Sequence, residues 1–194
     1  MVSNNGYTNL QRYIYLLMEF KNLEESIREY AAYVVSESRQ NLASKKNADG
    51  KLYQSITFNP IVEEDAILVQ FLMEDYGTFL DRGVKGVNSY YRETRESPFS
   101  YKRKGGKFGL KGMPPTSAFD QWTIKRNLAP RDKKGRFLTR KTLKFLIARS
   151  IFLKGIKARK FFSKPFYEGI DKYQLDMEKA FAKDIESKII YLEK

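Results

Sequence analysis

The chain has no cysteine and no histidine among its 194 residues, and these absences close off more chemistry than any residue present opens. Without thiols there are no disulfides, no thiolate metal sites and no cysteine nucleophile, a composition that suits a reducing compartment. Without imidazole there is no usual general base near neutral pH, no Ser/His/Asp triad and no His-ligated zinc or iron. Long apolar runs are also missing. Stretches such as Ala31 to Val35 fall far short of the roughly 20 residues that cross a bilayer, so no membrane partner is expected. The segment MVSNNGYTNLQRY lacks a basic stretch followed by a continuous apolar one and does not read as a secretory signal, which points to the cytosol.

Carboxylates and lysines are what remain for catalysis. Glu63, Glu64 and Asp65 lie together between two apolar stretches, and Asp184 with Glu186 and Lys188 loosely matches a nuclease spacing. The first group reads most simply as a solvated hairpin turn, the second as the polar face of a helix. KGGKFGLKG at 104–112 sets glycines among basic residues, but it lacks the Lys followed by Ser or Thr of a phosphate-binding loop, and no strand leads into it. No catalytic, cofactor-binding or metal-ligating residue is assigned, and the expectation is a protein that is not an enzyme.

The net charge of +13 is unevenly distributed. Residues 1–80 carry 7 Lys/Arg against 11 Asp/Glu, residues 81–165 carry 24 against 5, and residues 166–194 carry 5 against 7. A basic belt of net +19 between acidic arms implies that the belt meets something negative. DNA, an acidic protein surface and the acidic arms of a neighbouring copy are the candidates.

Length and a 42% hydrophobic content predict one core and a single domain over 1–194. Leu10, Ile14, Leu17, Phe20, Leu23, Ile27, Tyr30 or Ala31, Val34 and Leu42 recur every three or four residues. That spacing predicts a helix over about 9–44, ended by the turn residues of KKNADG. Such a helix would be roughly 50 Å long, more than a small domain spans, so part of it is expected to pack on another subunit. Ser55–Pro60 and Ala66–Leu72 then read as an antiparallel hairpin. YGTFLDRGVKG, at 76–86, reads as a tight, partly buried turn because its three glycines reach backbone conformations closed to other residues.

From 87 to 115 no period appears. Tyr90, Tyr91, Phe99, Tyr101 and Phe108 alternate with Arg92, Arg95, Lys102, Arg103, Lys104, Lys107 and Lys111, which suits either a protein interface or stacking and phosphate pairing with nucleic acid. This stretch is expected to be an inserted arm. Beyond it, Ser117 and Asp120 suggest a capping box that places Phe119, Trp122 and Leu128 toward the core. Thr139 is expected to cap a basic amphipathic helix to about Lys154, carrying Arg140 and Lys144 on its surface, with Leu143, Leu146 or Ile147, and Ser150 or Ile151 inward. A last helix over 166–194 follows Pro165, with Phe166, Ile170, Tyr173, Met177, Phe181, Ile185 and Ile189 as its stripe.

Taken in order, the long first helix, LYQSI opening a small sheet, YGTFLDRGVKG, a later helix with Trp122, a helix ending at GI and a connector ending in PF resemble the tail-completion or neck proteins of tailed bacteriophages. The sharpest part is Tyr76, Gly77, Phe79, Asp81 and Gly83. The resemblance covers roughly 10–86 and 116–175, and departs at the insertion over 87–115 and in the length of the final helix. It implies an α+β fold, a small antiparallel sheet packed with a long N-terminal helix and C-terminal helices, plus the basic and aromatic arm. It also implies a homo-oligomeric ring of six or twelve copies around the DNA channel, in the neck of a virion assembled in the host cytoplasm, against portal, connector or tail proteins. On this reading Tyr76, Gly77, Phe79, Asp81, Gly83, Tyr90, Tyr91, Phe99 and Tyr101 make subunit or ring contacts, while Lys102, Arg103, Lys104, Lys107, Lys111, Arg140 and Lys144 face DNA or acidic partners. A nonspecific nucleic-acid-binding protein is the alternative.

Overall fold

A computed structural model describes residues 20–43, 50–63, 66–88, 90–106, 110–131 and 134–192. The fold is α+β. Its elements in order are α1 (Lys21–Ala43), α2 (Lys51–Ser55), β1 (Thr57–Val62), β2 (Ile67–Leu72), α3 (Tyr76–Arg82), β3 (Val84–Lys85), 3-10 turns at Arg92–Thr94 and Thr116–Phe119, α4 (Asp120–Lys125), α5 (Arg140–Lys154), β4 (Gly155–Ile156) and α6 (Ser163–Leu192). The small sheet expected from sequence is two separate antiparallel pairs, β1 with β2 and β3 with β4. Contacts divide the chain, read above as one domain, into two compact units: Met1–Glu74 with Phe161–Lys194, and Asp75–Lys160.

The first unit is built on the pairing of α1 with α6. α1 buries Tyr30, Ala31, Val34, Val35 and Leu42, the stripe that the three-and-four spacing marks out. The part of that expected helix before residue 20 lies outside the described residues, as does the turn at 44–49. Gly169 lets α6 approach closely, since a Cβ there would stand 2.9 Å from the Tyr30 ring. The Tyr30 hydroxyl donates to the Phe166 carbonyl at 3.2 Å, and burial pushes its pKa up to about 12. α6 begins at Ser163, before Pro165, because the ring at an early helical position fits a turn whose N–H groups have no partner anyway.

α1 lacks a capping side chain of its own, since Phe20 precedes it. Asp184 of α6 takes that role from 161 residues away: its carboxylate accepts from the backbone N–H of Asn22 at 3.2 Å and of Leu23 at 2.9 Å, and from the Asn22 side chain at 2.6 Å. Burial alone would raise its pKa, but these bonds and the nearby Lys188 outweigh it and hold the carboxyl below its ordinary range. The loose nuclease spacing at Asp184 is therefore occupied by a helix cap.

The hairpin forms as expected, with its start shifted. LYQS is the short helix α2, and the strand begins at Thr57, because the Ser55 hydroxyl closes back on the Leu52 carbonyl at 3.1 Å. Register pairs Phe58 with Phe71 and Pro60 with Val69 on one face, and Asn59 with Gln70 and Ile61 with Leu68 on the other. Phe71 stands edge-on to Tyr30, Phe162 and Phe166. Of the acidic turn only Glu63 is described, and its N–H donates to the Ala66 carbonyl.

The second unit centres on α5, which buries Leu143, Ala148 and Phe152. Thr139 caps it as expected, accepting from the Thr142 N–H at 3.2 Å. Leu146 is exposed, because the inward face runs through Ala148 and Phe152. The expected capping box at Ser117 and Asp120 does not form. Residues 116–119 make a 3-10 turn, α4 begins at Asp120, and the Asp120 carboxylate instead pairs with Lys144. Trp122 is 45% exposed beside Arg126 rather than in the core, because six residues of helix leave Thr123 as the buried position.

Candidate functional site

The segment YGTFLDRGVKG folds as a helix followed by a strand. Tyr76–Arg82 is helical, with Gly77 buried in its first turn, and Gly83 breaks it with a φ of +72°. Gly83 is needed for space as well as conformation. A Cβ there would meet the Ala158 nitrogen, the Ile156 oxygen and the Thr94 methyl, each at 2.6 Å. Across the β3–β4 pairing, Gly155 holds a φ of +89°, and a Cβ on it would lie 2.1 Å from the Val84 oxygen. The three segments around 83–86, 94–101 and 153–160 therefore cross where only glycine allows backbone against backbone.

Hydrogen bonds fasten this crossing. The Lys85 N–H donates to the Phe99 carbonyl at 2.9 Å and the Tyr101 N–H to the Lys85 carbonyl at 2.8 Å, so Ser100 lies parallel beside β3. Val87 and Asn88 donate to the Phe152 and Leu153 carbonyls. The buried Ser97 hydroxyl donates to the Gly83 carbonyl at 2.7 Å, and Arg159 and Lys160 donate to the Leu80 and Asp81 carbonyls. Residues 92–101, expected to be part of an extended arm, are thus folded against β3. No period marks this in the sequence, because the bonds come from backbone groups rather than from a repeating side-chain face.

On top of the crossing lies a groove of about 720 Å³ lined by Tyr76, Phe79, Val84, Phe99, Tyr101 and Ile156, with Lys102 at its edge. Phe79 is 42% exposed and rests on Phe99 with ring centroids 4.4 Å apart. Tyr101 backs onto Phe152 at 6.0 Å, and burial raises its pKa. Of the residues expected to make subunit contacts, Tyr76, Phe79, Phe99 and Tyr101 come together here. Gly77, Asp81 and Gly83 are buried behind them. Tyr90 and Tyr91 form a separate T-shaped pair at 5.1 Å, with the Lys154 ammonium over the Tyr90 ring.

The basic residues form a second feature. The Lys104 N–H donates to the Lys111 carbonyl and the Lys111 N–H to the Gly105 carbonyl, which brings the exposed Lys102, Arg103 and Lys104 close to the exposed Lys111. Lys107 lies outside the described residues. Arg140 is exposed, whereas the Lys144 charge is met by Asp120. Sequence reading missed the Glu93–Lys157 pair, 2.9 Å apart, in which the hydrogen bond from Lys157 lowers the Glu93 pKa and Glu93 raises that of Lys157. It also missed Arg131, whose guanidinium sits 4.0 Å over the Phe137 ring. Neither is local enough to leave a motif.

Among the described residues, no three acidic side chains gather as metal ligands would, and no helix is long and apolar enough to cross a membrane. The groove has an apolar floor and cationic edge, and its polar side chains are tyrosine hydroxyls, Ser100 and Lys102. That arrangement suits burying an apolar, negatively flanked surface. No family model matches the chain, and no curated protein or solved structure matches it either.

Proposed function

We propose that this protein is a structural virion component whose copies close into a ring in the head-to-tail connector of a tailed bacteriophage, joining portal and tail around the DNA channel. One observation carries the reading: charge divides along the same line as the fold. The unit made of Met1–Glu74 and Phe161–Lys194 has 13 Lys/Arg against 17 Asp/Glu, net −4, while Asp75–Lys160 has 23 against 6, net +17. A subunit with two folded parts of opposite sign is suited to head-to-tail contact with copies of itself. Such contacts close into rings when the rotation permits, and complementary charge sets register and speeds encounter. Cations left over at the channel would hold DNA through its phosphates without reading sequence.

The test is assembly. Sedimentation of the purified protein across concentration, with electron microscopy of the largest species, should give a single ring-shaped oligomer that dissociates as salt rises. Protein that stays monomeric at high concentration and also fails to join isolated connector components overturns the reading.

The exposed cations Lys102, Arg103, Lys104 and Lys111, in the same unit as the exposed Tyr90, favour nonspecific nucleic-acid binding as the second reading. Affinity for short DNA separates the two. Tight binding that falls steeply and linearly in log–log form with salt supports DNA as the main partner. Weak binding at every salt concentration leaves protein contacts as the purpose of the basic unit.

A further inference from the structure

The ring reading, on which this inference rests, leaves open which surfaces meet. Two exposed apolar features of opposite charge answer that. The first is the β1–β2 hairpin. Its outer face carries the cross-strand pair Ile61 and Leu68, 37% and 47% exposed, with Glu63 just past the strand end. Between Leu52 and Glu74 the sequence has Glu63, Glu64, Asp65 and Glu74 and no Lys or Arg at all. The second is the groove of the other unit, floored by Phe79 and Phe99 and edged by Lys102. Between Arg82 and Pro115 the sequence has nine Lys/Arg against two Asp/Glu.

We infer that the hairpin of one copy seats in the groove of the next, with Ile61 and Leu68 against Phe79 and Phe99, and Glu63 facing Lys102. A two-stranded hairpin with apolar residues open to water on its outer face is marginal alone and offers unpaired edges, both of which a partner surface relieves. Clustered exposed aliphatics beside exposed aromatics are what a contact patch needs for its desolvated centre, with the charged residues as a rim. Small-ligand sites instead converge a few buried polar or charged groups on their occupant, whereas the one charged side chain lining this groove, Lys102, is exposed. Because the two surfaces are different patches of the molecule, the contact is heterologous, the type that propagates around a ring instead of stopping at a dimer.

The prediction is read by mixing two variants. Ile61→Lys with Leu68→Lys spoils the hairpin, and Phe79→Ser with Lys102→Glu spoils the groove. Each alone should weaken self-association by about tenfold or more, with an unchanged far-ultraviolet dichroism spectrum. Mixed in equal amounts they should form a 1:1 dimer, since one intact hairpin still meets one intact groove. As a check that does not depend on the Phe79 substitution, Glu63→Cys protein mixed with Lys102→Cys protein should cross-link between the two variants under mild oxidation. No native thiol competes with that pairing. If both spoiled variants assemble as the wild type does, the ring stands and this contact is wrong. If only the groove variant is impaired, the groove meets a different part of the neighbouring copy than the hairpin, and the inference falls. A wild type that stays monomeric with and without isolated connector components overturns ring and contact together.

Discussion

The two units of this chain reach their folds by different means. The first is two long helices in contact, and its buried residues Tyr30, Ala31, Val34, Val35 and Leu42 follow one another at helical spacing. The second is made of short elements joined by backbone hydrogen bonds between segments distant in sequence, at places where glycines let main chains touch. Side-chain burial tolerates moderate substitution, because neighbouring side chains can repack. A backbone crossing has no such freedom, so the second unit should be brittle at a few positions where the first is forgiving at many.

The largest expected effect tests that contrast directly. Gly155→Val adds a Cβ about 2 Å from the Val84 oxygen at a φ of +89°, so both the space and the conformation are wrong. The cost should be on the order of 4 kcal/mol, at the upper end for single substitutions. Hydrogen exchange should show the amides of Lys85, Val87, Asn88 and Tyr101 losing protection, while those around Val34 keep theirs. Equal loss in both places would mean that the chain unfolds as one body and that the two-part description is mistaken.

The same contrast explains how much could be read from sequence. The described part of α1, the hairpin, α5 with its Thr139 cap and α6 were legible, because a repeating apolar face or a local cap announces each. The glycines of YGTFLDRGVKG were visible as well, but they pointed to a turn. Their role is fixed by Ala158, Ile156 and Thr94, and no local pattern reports residues that close in space and that far along the chain. The pairing of residues 99–101 with Lys85 was hidden for the same reason. At the candidate site, Tyr76 and Phe79 stood out through the YGTFLDRG resemblance and Phe99 and Tyr101 through the aromatic composition of 87–115, and the fold brings these four together. Composition did not distinguish Phe99 and Tyr101 from Tyr90 and Tyr91, which pair with each other elsewhere.

An intermediate effect belongs to the first unit and probes the one place where it too depends on a distant residue. Asp184→Ala removes the acceptor for the Asn22 and Leu23 N–H groups at the start of α1, and should cost about 1–2 kcal/mol in chemical denaturation. The folded carboxyl has a lowered pKa, so its contribution is full above the unfolded value of about 3.9 and is lost as pH falls through the folded value. The wild type should therefore lose stability on acidification over that range relative to the variant, and the two curves should converge at low pH. Curves that stay parallel down to low pH would show that the cap acts without its charge.

The smallest effect concerns a contact that looks as if it should matter to the second unit. Glu93 and Lys157 connect the 3-10 turn at 92–94 to the chain after β4, and each shifts the other's pKa toward the charged form. Both side chains are open to solvent, where water screens the pair and holding two long side chains in one geometry offsets much of the attraction. The crossing beneath them is already fixed by Ser97 on the Gly83 carbonyl and by the fully buried Thr94. Glu93→Gln should therefore leave the melting temperature unchanged at physiological salt, while nuclear magnetic resonance titration shows the Lys157 pKa returning toward its ordinary value. If the variant instead melted measurably earlier, surface charge rather than backbone geometry would be holding the second unit together, and the brittleness expected at Gly155 would need another cause.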